Sequence, residues 1–297
     1  MPMEQPGIPR VPAGLIARSA IGALTLVYSA PTPGVGSRYA DGRVAHETRI
    51  LSAAAVCGAL ASGREVGETV LEAIRAAMAQ AGYADPRATG FLAPLARAAL
   101  IGEPVRRVLG RLGHEDILPF AQALETAGAG GPLGGALAYA LGAGRDATLR
   151  DAMRFVAGRD ALAREYTRGF EVTRELARPA LLSALSRADS VRGALVQTYL
   201  EVLSEVPDVE VAAGAGSNEA EDVARMAKGV IKAGGVHSRR GLEGISNLDG
   251  LLRADPRLAP TATEPPVIAA AFLVALEYGP DSLTHRIRPA AGRSRGR

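Results

Sequence analysis

Apolar residues recur at intervals of three and four along most of the chain, which is the spacing of one face of an α-helix. Alternating apolar and polar runs rich in β-branched residues, which would indicate strands, are nearly absent. The pattern predicts an all-α protein built as a compact multi-helix bundle. The predicted helices cover residues 13–29, 47–62, 66–82, 89–101, 103–112, 115–127, 133–143, 147–177 with a break near 158, 179–187, 189–206, 217–233, 241–254 and 264–279. The segment 208–213 is the one plausible strand.

Helix-ending and helix-starting residues support these boundaries. Glycines stand where helices should stop, and candidate N-caps stand where they should start, at Thr148, Asp189, Ser217 and Thr263. Elements of roughly 10–18 residues joined by short turns predict one helical domain over residues 1–284. Residues 285–297 are rich in Arg and Gly without apolar periodicity, so we predict a disordered tail.

Charge and composition exclude some partners. The net charge is +3, but the arginines are spread along the chain and aromatic residues make up only 4%, whereas nucleic-acid binding favours clustered charge and stacking rings. No apolar run reaches the length of a membrane span, and the first residues lack a signal-peptide pattern. We therefore expect a cytoplasmic protein that binds neither nucleic acid nor a membrane.

Metal binding and nucleophilic catalysis find little support. Cys57 is the single cysteine, and its apolar surroundings should raise its pKa and leave it inert. No Gly-x-Ser-x-Gly elbow is present. The histidines lie far apart and have no second ligand at helical spacing: His46, His114, His237 and His285. We predict no metal site and no tightly bound cofactor.

Glycine-rich connections open onto helices at residues 31–43, 127–136 and 213–222. The free N–H groups and dipole of a helix N-terminus favour an anion, so each connection is a candidate phosphate loop. None matches the Walker pattern, which requires Gly-Lys-Ser/Thr after a strand. Each is also compatible with a plain turn between two helices.

A polar stripe runs along the predicted helix 147–177. It holds Asp160, Arg164, Thr167 and Glu171 at helical spacing, next to Tyr166. One interpretation is a solvated face of acid–arginine pairs. The other is a cluster that faces the bundle interior and holds a sugar or a polyphosphate, with arginine as the fork for its oxygens.

The order and spacing of several segments resemble the triphosphoribosyl-dephospho-coenzyme A synthase family, in particular its shorter archaeal-type relatives. The segments that carry the resemblance are 147–171, 196–216, 231–235, 248–253 and 258–277, with weaker likeness at 30–43 and 129–134. The resemblance implies an all-helical fold. It also implies an enzyme that joins ATP to 3′-dephospho-coenzyme A, expels adenine and attaches the triphosphoribosyl group to a ribose hydroxyl.

Site residues follow from this resemblance together with residue type. Asp160 or Glu171 would be the base or would stabilise the oxocarbenium-like centre. The predicted substrate-binding residues are Gly34, Ser37, Arg38, Gly131, Gly134, Arg164, Tyr166 and Tyr199. The expected ligand is a nucleotide or ribose-phosphate, with ATP as a substrate accompanied by magnesium.

Departures from the family pattern leave alternatives open. Thr32 stands where the motif has lysine, Pro265 stands where aspartate is expected, and residues 83–96 contain no asparagine. These changes remove a charge suited to polyphosphate and a polar group suited to ribose or base. A non-catalytic relative, or one re-purposed for a methanopterin-type one-carbon cofactor, is the alternative function. The oligomeric state is open, with a homo-oligomer as one alternative.

Deletion of residues 285–297 tests the predicted tail. A segment that packs on nothing should leave the melting temperature within about 1 °C and should leave nucleotide affinity unchanged, since it contributes no buried surface. Differential scanning calorimetry and isothermal titration of both proteins measure these quantities. A large loss of either would show that the tail docks on the domain.

Overall fold

The structure is a computed structural model, and it describes residues 10–284. Within these residues it contains fifteen α-helices and no β-sheet, which confirms the all-α prediction. The helices are α1 (Ala13–Ser29), α2 (His46–Leu60), α3 (Val66–Ala81), α4 (Pro86–Ile101), α5 (Val105–Gly110), α6 (Ile117–Thr126), α7 (Gly131–Gly142), α8 (Leu149–Val156), α9 (Ala161–Arg168), α10 (Arg178–Arg187), α11 (Val191–Glu205), α12 (Val209–Gly214), α13 (Ser217–Lys232), α14 (Arg239–Ala254) and α15 (Glu264–Tyr278). The predicted tail, 285–297, lies outside the described residues.

Helix α15 is the centre of the bundle. It is apolar on all sides and is buried from Glu264 to Leu276, as expected of a helix surrounded by others. Helices α1, α4, α10 and α11 pack directly against it. Helices α1 and α4, which contact each other, therefore lie on one part of its surface and α10 and α11, also in mutual contact, on another, so that α15 fixes their relative position.

The remaining helices form outer layers on this centre. Helices α6, α7, α8 and α9 pack in chain order, and α3 packs on α6. Helices α13 and α14 pack on each other, and α13 packs on α11. The buried apolar side chains form one contiguous core that runs from Ile16 to Leu283.

The predicted helix 147–177 is interrupted twice. The expected break near 158 is present, because Asp160 leaves the helical conformation and caps α9. A second break follows at Gly169 and Phe170, which both have φ values near +65°: 69° and 62°. The chain then makes a π-helical turn over Val172–Ala177. Glu171 therefore does not continue the stripe of Asp160, Arg164 and Thr167, and that part of the prediction is wrong.

A buried carboxylate supports the second break. Glu165 is fully buried, and its oxygens accept the N–H groups of Val172 and Thr173, both at 2.9 Å. These donors would otherwise lack helical acceptors, because the chain reverses its φ sign just before them. The side chain of Glu165 thus replaces the interrupted backbone bonds.

The strand predicted at residues 208–213 is also wrong. Asp208 caps a short helix there, and its Oδ1 accepts the N–H groups of Glu210 (2.8 Å) and Val211 (3.3 Å). An alternating apolar pattern over six residues favours a strand only weakly, and the capping aspartate decides the local structure.

The predicted caps are partly confirmed. The Oγ1 of Thr148 accepts the N–H of Asp151 at the start of α8. Ser190, rather than the neighbouring Asp189, caps α11 through the N–H of Gly193. Ser217 is the first residue of α13 instead of its cap.

The loop 31–43 lies on α14 and on the segment before α15, and Gly34 makes this close approach feasible. Its φ is 75°, a conformation that side-chain-bearing residues rarely adopt. A Cβ at this position would lie 2.8 Å from the Cβ of Leu252. The loop can therefore reach its seat on α14 only with glycine at this position.

Replacement of Gly34 by alanine should lower the free energy of unfolding by about 2–4 kcal/mol, since left-handed strain adds to a steric clash. Urea denaturation measures the change. Gly58→Ala is the matched control, because Gly58 lies in the exposed interior of α2 with open space around it. That control should be neutral or slightly stabilising. Equal effects for the two variants would contradict the close approach.

Candidate functional site

Two arginines hold the carbonyl groups of the loop 31–43. The Nη1 of Arg49, on α2, donates to the carbonyl oxygen of Gly36 at 2.9 Å. Arg253, on α14, donates to the carbonyl oxygens of Val35 (2.7 Å) and Asp41 (2.8 Å). Both side chains act as fixed forks, so the loop backbone is pinned from two helices.

Each arginine is neutralised by a carboxylate. Glu264, the first residue of α15, forms a buried ion pair with Arg49, and the two side chains are only 6% and 8% exposed. Asp249 accepts from the Nε of Arg253 at 2.8 Å and also from the N–H of Gly34 at 2.8 Å. The backbone donor of Gly34, predicted to contact phosphate, is thus engaged by a protein carboxylate.

The surroundings of Arg49 extend this buried polar cluster. Its guanidinium lies 3.7 Å from the ring centroid of Tyr28, whose hydroxyl donates to Asp85 at 3.0 Å. Burial disfavours the charge of Arg49, but Glu264, Tyr28 and Asp85 together outweigh that effect and keep the arginine pKa above its ordinary value. Burial raises the pKa of Glu264, an effect that Arg49 opposes. The second oxygen of Glu264, Oε1, is buried without a partner among the described residues.

The loop tip, residues 37–41, is a tight turn above a narrow neck. Ser37 donates its N–H to the carbonyl of Ala40 at 2.9 Å. Below it, Gly36 and Gly42 approach so closely that a Cβ on Gly36 would lie 2.6 Å from the Cα of Gly42. Ser37 is buried, and Arg38 and Tyr39 are exposed at the tip.

A second group of polar residues, here called the arginine pocket, consists of Asp160, Arg164, Asp208 and Thr263. Arg164, Asp208 and Thr263 line a cavity of about 10 Å³, room for about one water molecule, while Asp160 lies outside that lining, near enough for its charge to act on Arg164. The Oδ1 of Asp160 caps α9 through the N–H of Ala163 at 2.8 Å. Asp208 accepts the hydroxyl of Thr263 at 2.7 Å in addition to its helix-capping bonds. These bonds fix both carboxylates in place.

Arg164 is the residue of the arginine pocket whose hydrogen-bond donors are unused. Its guanidinium has no hydrogen-bond partner within residues 10–284, and its Nε is buried. Burial lowers the pKa of Arg164, and the carboxylates of Glu165, Asp208 and Asp160 oppose that shift. A half-buried guanidinium with unfilled donors is suited to an incoming anion.

The segment 259–266 joins the loop to the arginine pocket. The carbonyl of Pro260 accepts the hydroxyl of Tyr199 at 3.1 Å, and the same hydroxyl lies 3.3 Å from the carbonyl of Pro33. Thr263 bonds to Asp208, and the next residue, Glu264, pairs with Arg49. The two polar groups therefore lie on either side of one short connection.

Other predicted site residues occupy different surroundings. Tyr166 and Tyr199 are buried, and the hydroxyl of Tyr166 donates to the carbonyl of Gly90 at 2.8 Å. Glu171 is about half exposed and pairs with Arg168 at 3.4 Å. Gly131 and Gly134 lie at the start of α7, which packs mainly on α6 and α8. The structure brings together the loop, Arg164, Asp160 and Tyr199 rather than the full predicted set.

Sequence reasoning missed the groups that hold the site. Arg49, Asp85, Asp249, Arg253 and Glu264 were not singled out, although all make the contacts described above. Only Arg49 carried a local signal, since it lies on the apolar side of α2 with Ala53 and Val56. The others are identified by partners that are far away in the sequence.

The described residues contain no cluster of metal ligands, no activated thiol and no membrane-spanning helix. Among residues 10–284, no three His, Cys, Asp or Glu side chains are grouped so that they could hold a metal ion. Burial raises the pKa of Cys57 to about 12. Within the same part of the chain, each helix is too short or too polar to cross a bilayer.

Comparison with known proteins identifies a family and a similar crystal structure. A family model described as ATP:dephospho-CoA triphosphoribosyl transferase matches residues 13–282. The fold is similar to the crystal structure of a protein from Archaeoglobus fulgidus with the provisional description triphosphoribosyl-dephospho-CoA synthase, at a TM-score of 0.59 and 26% identity. That match covers 78% of this chain and 98% of the archaeal one. No curated protein sequence matches significantly.

The buried ion pair between Arg49 and Glu264 can be tested by removing the charge of Glu264. Glu264→Gln should lower the free energy of unfolding by about 3–5 kcal/mol, because it leaves the charge of Arg49 buried and unpaired. Glu277→Gln is the control on the same helix, since Glu277 pairs with Arg178 at the surface and its loss should cost at most about 1 kcal/mol. Urea denaturation measures both, and similar small losses would show that the buried pair does not anchor α15.

Proposed function

The chain belongs to the ATP:dephospho-CoA triphosphoribosyl transferase family, and we propose that it transfers the triphosphoribosyl group of ATP to a hydroxyl of dephospho-CoA or a closely similar acceptor. The observation that carries this proposal is the extent of the family match, residues 13–282, which includes the loop 31–43 and every member of the arginine pocket. The similar archaeal fold supports it. The expected compartment is the cytoplasm, which supplies both substrates.

The reaction sets clear demands on the site. The acceptor oxygen forms a bond to C1′ of the ATP ribose while the bond from C1′ to the adenine nitrogen breaks. The acceptor hydroxyl loses a proton, and the departing adenine gains one. Positive charge develops at C1′ in between, so a carboxylate near that carbon and a group that accepts the proton both accelerate the reaction.

Asp160 fits this role best among the carboxylates of the site. Its Oδ1 is fixed by the N–H of Ala163, while its Oδ2 has no hydrogen-bond partner within residues 10–284. Both oxygens of Asp208 are occupied, by backbone N–H groups and by Thr263. Glu171 pairs with Arg168 outside the pocket. In our proposal Asp160 is therefore the base or charge stabiliser, and Asp208 holds the pocket together.

Arg164 is the proposed contact for the triphosphate. Its unfilled guanidinium donors match phosphate oxygens, and charge-assisted bonds of this kind are among the stronger ones in proteins. The cavity beside it has a volume of about 10 Å³, so a phosphate can enter only if Arg164 or the neighbouring segments move. Magnesium, in this proposal, enters with ATP as part of the substrate.

One observation favours a re-purposed relative as the second candidate. Thr32, at the position of the motif lysine, is 1% exposed, and its hydroxyl is buried without a partner among the described residues. This position supplies no charge to a polyphosphate. A donor with fewer phosphates, or an acceptor such as a methanopterin-type precursor, would need that charge less.

The transferase proposal is tested by incubating the purified protein with ATP, magnesium and dephospho-CoA. Wild-type protein should release free adenine and form a product with the summed mass of the two substrates minus adenine. Asp160→Asn should lower the rate of adenine release by about 100-fold or more, because the amide cannot accept the proton. The melting temperature should not change, since asparagine caps a helix as well as aspartate does.

Asp222→Asn is the control, because Asp222 is exposed on α13 and pairs only with Arg225. This variant should keep wild-type activity. An unchanged rate for Asp160→Asn would remove Asp160 from the mechanism. Absence of adenine release from the wild type would overturn the transferase proposal and favour the re-purposed relative.

A further inference from the structure

Tyr39 is an exposed aromatic ring on a turn that is itself held in place. The side chain is 53% exposed. Its backbone N–H donates to the Oγ of Ser37 at 3.2 Å, and Ser37 and Ala40 bond to each other in both directions. The neck below is pinned by Arg49 and Arg253 through loop carbonyls. The fold thus positions an apolar ring in solvent and limits its movement.

One arginine stands at this ring, and a second one precedes it in the sequence. The guanidinium of Arg192, in the first turn of α11, lies 5.5 Å from the ring centroid of Tyr39. Arg38 precedes Tyr39, is exposed, and makes no hydrogen bond within residues 10–284. Helix α11 also carries Val202, which lines the arginine pocket near its other end. The tip and the pocket are therefore connected by one rigid helix.

A single exposed aromatic residue has no special meaning on most protein surfaces. Tyr139 is an example on this molecule, since it is 78% exposed on α7 and its side chain has no ring contact or hydrogen bond within residues 10–284. Tyr39 differs because its turn is cross-braced, Arg192 lies over its ring, and the exposed Arg38 is its neighbour in the chain. An aromatic face beside arginines matches a purine base and the phosphates attached to it, because bases stack on rings while guanidinium groups bind phosphate.

We propose that the loop tip is the binding site for an adenine ring, with Tyr39 stacked on the base and Arg38 and Arg192 at its attached phosphates. The inference rests on the proposed function, in which ATP and dephospho-CoA each contain adenine. The site therefore takes the adenine of one of these substrates, and the experiment identifies which. It also gives the tip a task that the arginine pocket does not perform.

The chain contains no tryptophan, so Tyr39→Trp places a single tryptophan at the tip, whose emission is excited apart from that of the tyrosines. Circular dichroism first shows that the variant is folded. Titration with ATP, dephospho-CoA and inorganic triphosphate then compares the ligands. We expect saturable quenching by the substrate whose adenine stacks there, and none by triphosphate, which lacks a base. Quenching by triphosphate alone, or by none of the ligands, would overturn the proposal.

Calorimetry on Tyr39→Ala and Tyr39→Phe provides a second measurement that does not depend on the tryptophan variant. Tyr39→Ala should weaken binding of the stacking substrate by about tenfold or more, because the ring supplies the contact. Tyr39→Phe keeps the ring and should bind like the wild type, and Tyr139→Ala is the surface control. If the alanine variant and the wild type bind the substrate with equal affinity, the proposed adenine site is ruled out.

These binding measurements require no turnover, so they separate the two proposals. Adenine-dependent quenching without adenine release would retain the tip site and remove the transferase reaction. If Tyr39→Ala changes neither the KM for ATP nor the KM for dephospho-CoA in the adenine-release assay, the reaction is retained and the tip site is rejected.

Discussion

The buried ion pair between Arg49 and Glu264 is the contact on which the candidate site depends. Two charges inside a protein are unfavourable unless each is well partnered, so this pair tolerates little displacement of either helix. Arg49 also holds the carbonyl of Gly36 and lies against Tyr28. Since Glu264 begins the central helix α15, the position of the loop is set by the core of the protein rather than by the surface.

The arginine pocket divides its polar groups into fixed and free ones. Asp208 has both oxygens occupied, and Asp160 has one oxygen tied to α9. Arg164 retains its donors. The fixed carboxylates keep their positions when an anion binds, and the free guanidinium can move toward that anion. Charges placed in advance in this way suit a reaction in which charge develops.

The sequence was sufficient for features that depend on local pattern. Helices with long apolar stripes, such as α1 and α15, were predicted to within one or two residues, because their periodicity repeats over several turns. The helix at 209–214 was missed, since six residues contain too little of either period. The break at Gly169 and Phe170 was missed although Gly169 is a residue type that ends helices, because the carboxylate that stabilises the break, Glu165, makes its contacts only once the chain has turned back on it.

The candidate site shows the same limit. Asp160 and Arg164 could be found because they lie one helical turn apart and match a known pattern. The partners of the loop could not, as Arg49 meets Glu264 across 215 positions. Pairing of charges over such separations follows from the packing of whole helices, and neither residue type nor spacing encodes it.

The close approach of Gly36 and Gly42 has a consequence for how this protein can change. It closes the backbone beneath residues 37–41, so the exposed side chains at the tip, Arg38 and Tyr39, are kept apart from the core, whereas Ser37 is buried. Selection can therefore alter those residues at little cost in folding, provided the two glycines remain. The neck separates the residues that can set specificity from those that set stability, and relatives with different small-molecule partners can arise by exchanging the exposed tip residues above an unchanged base.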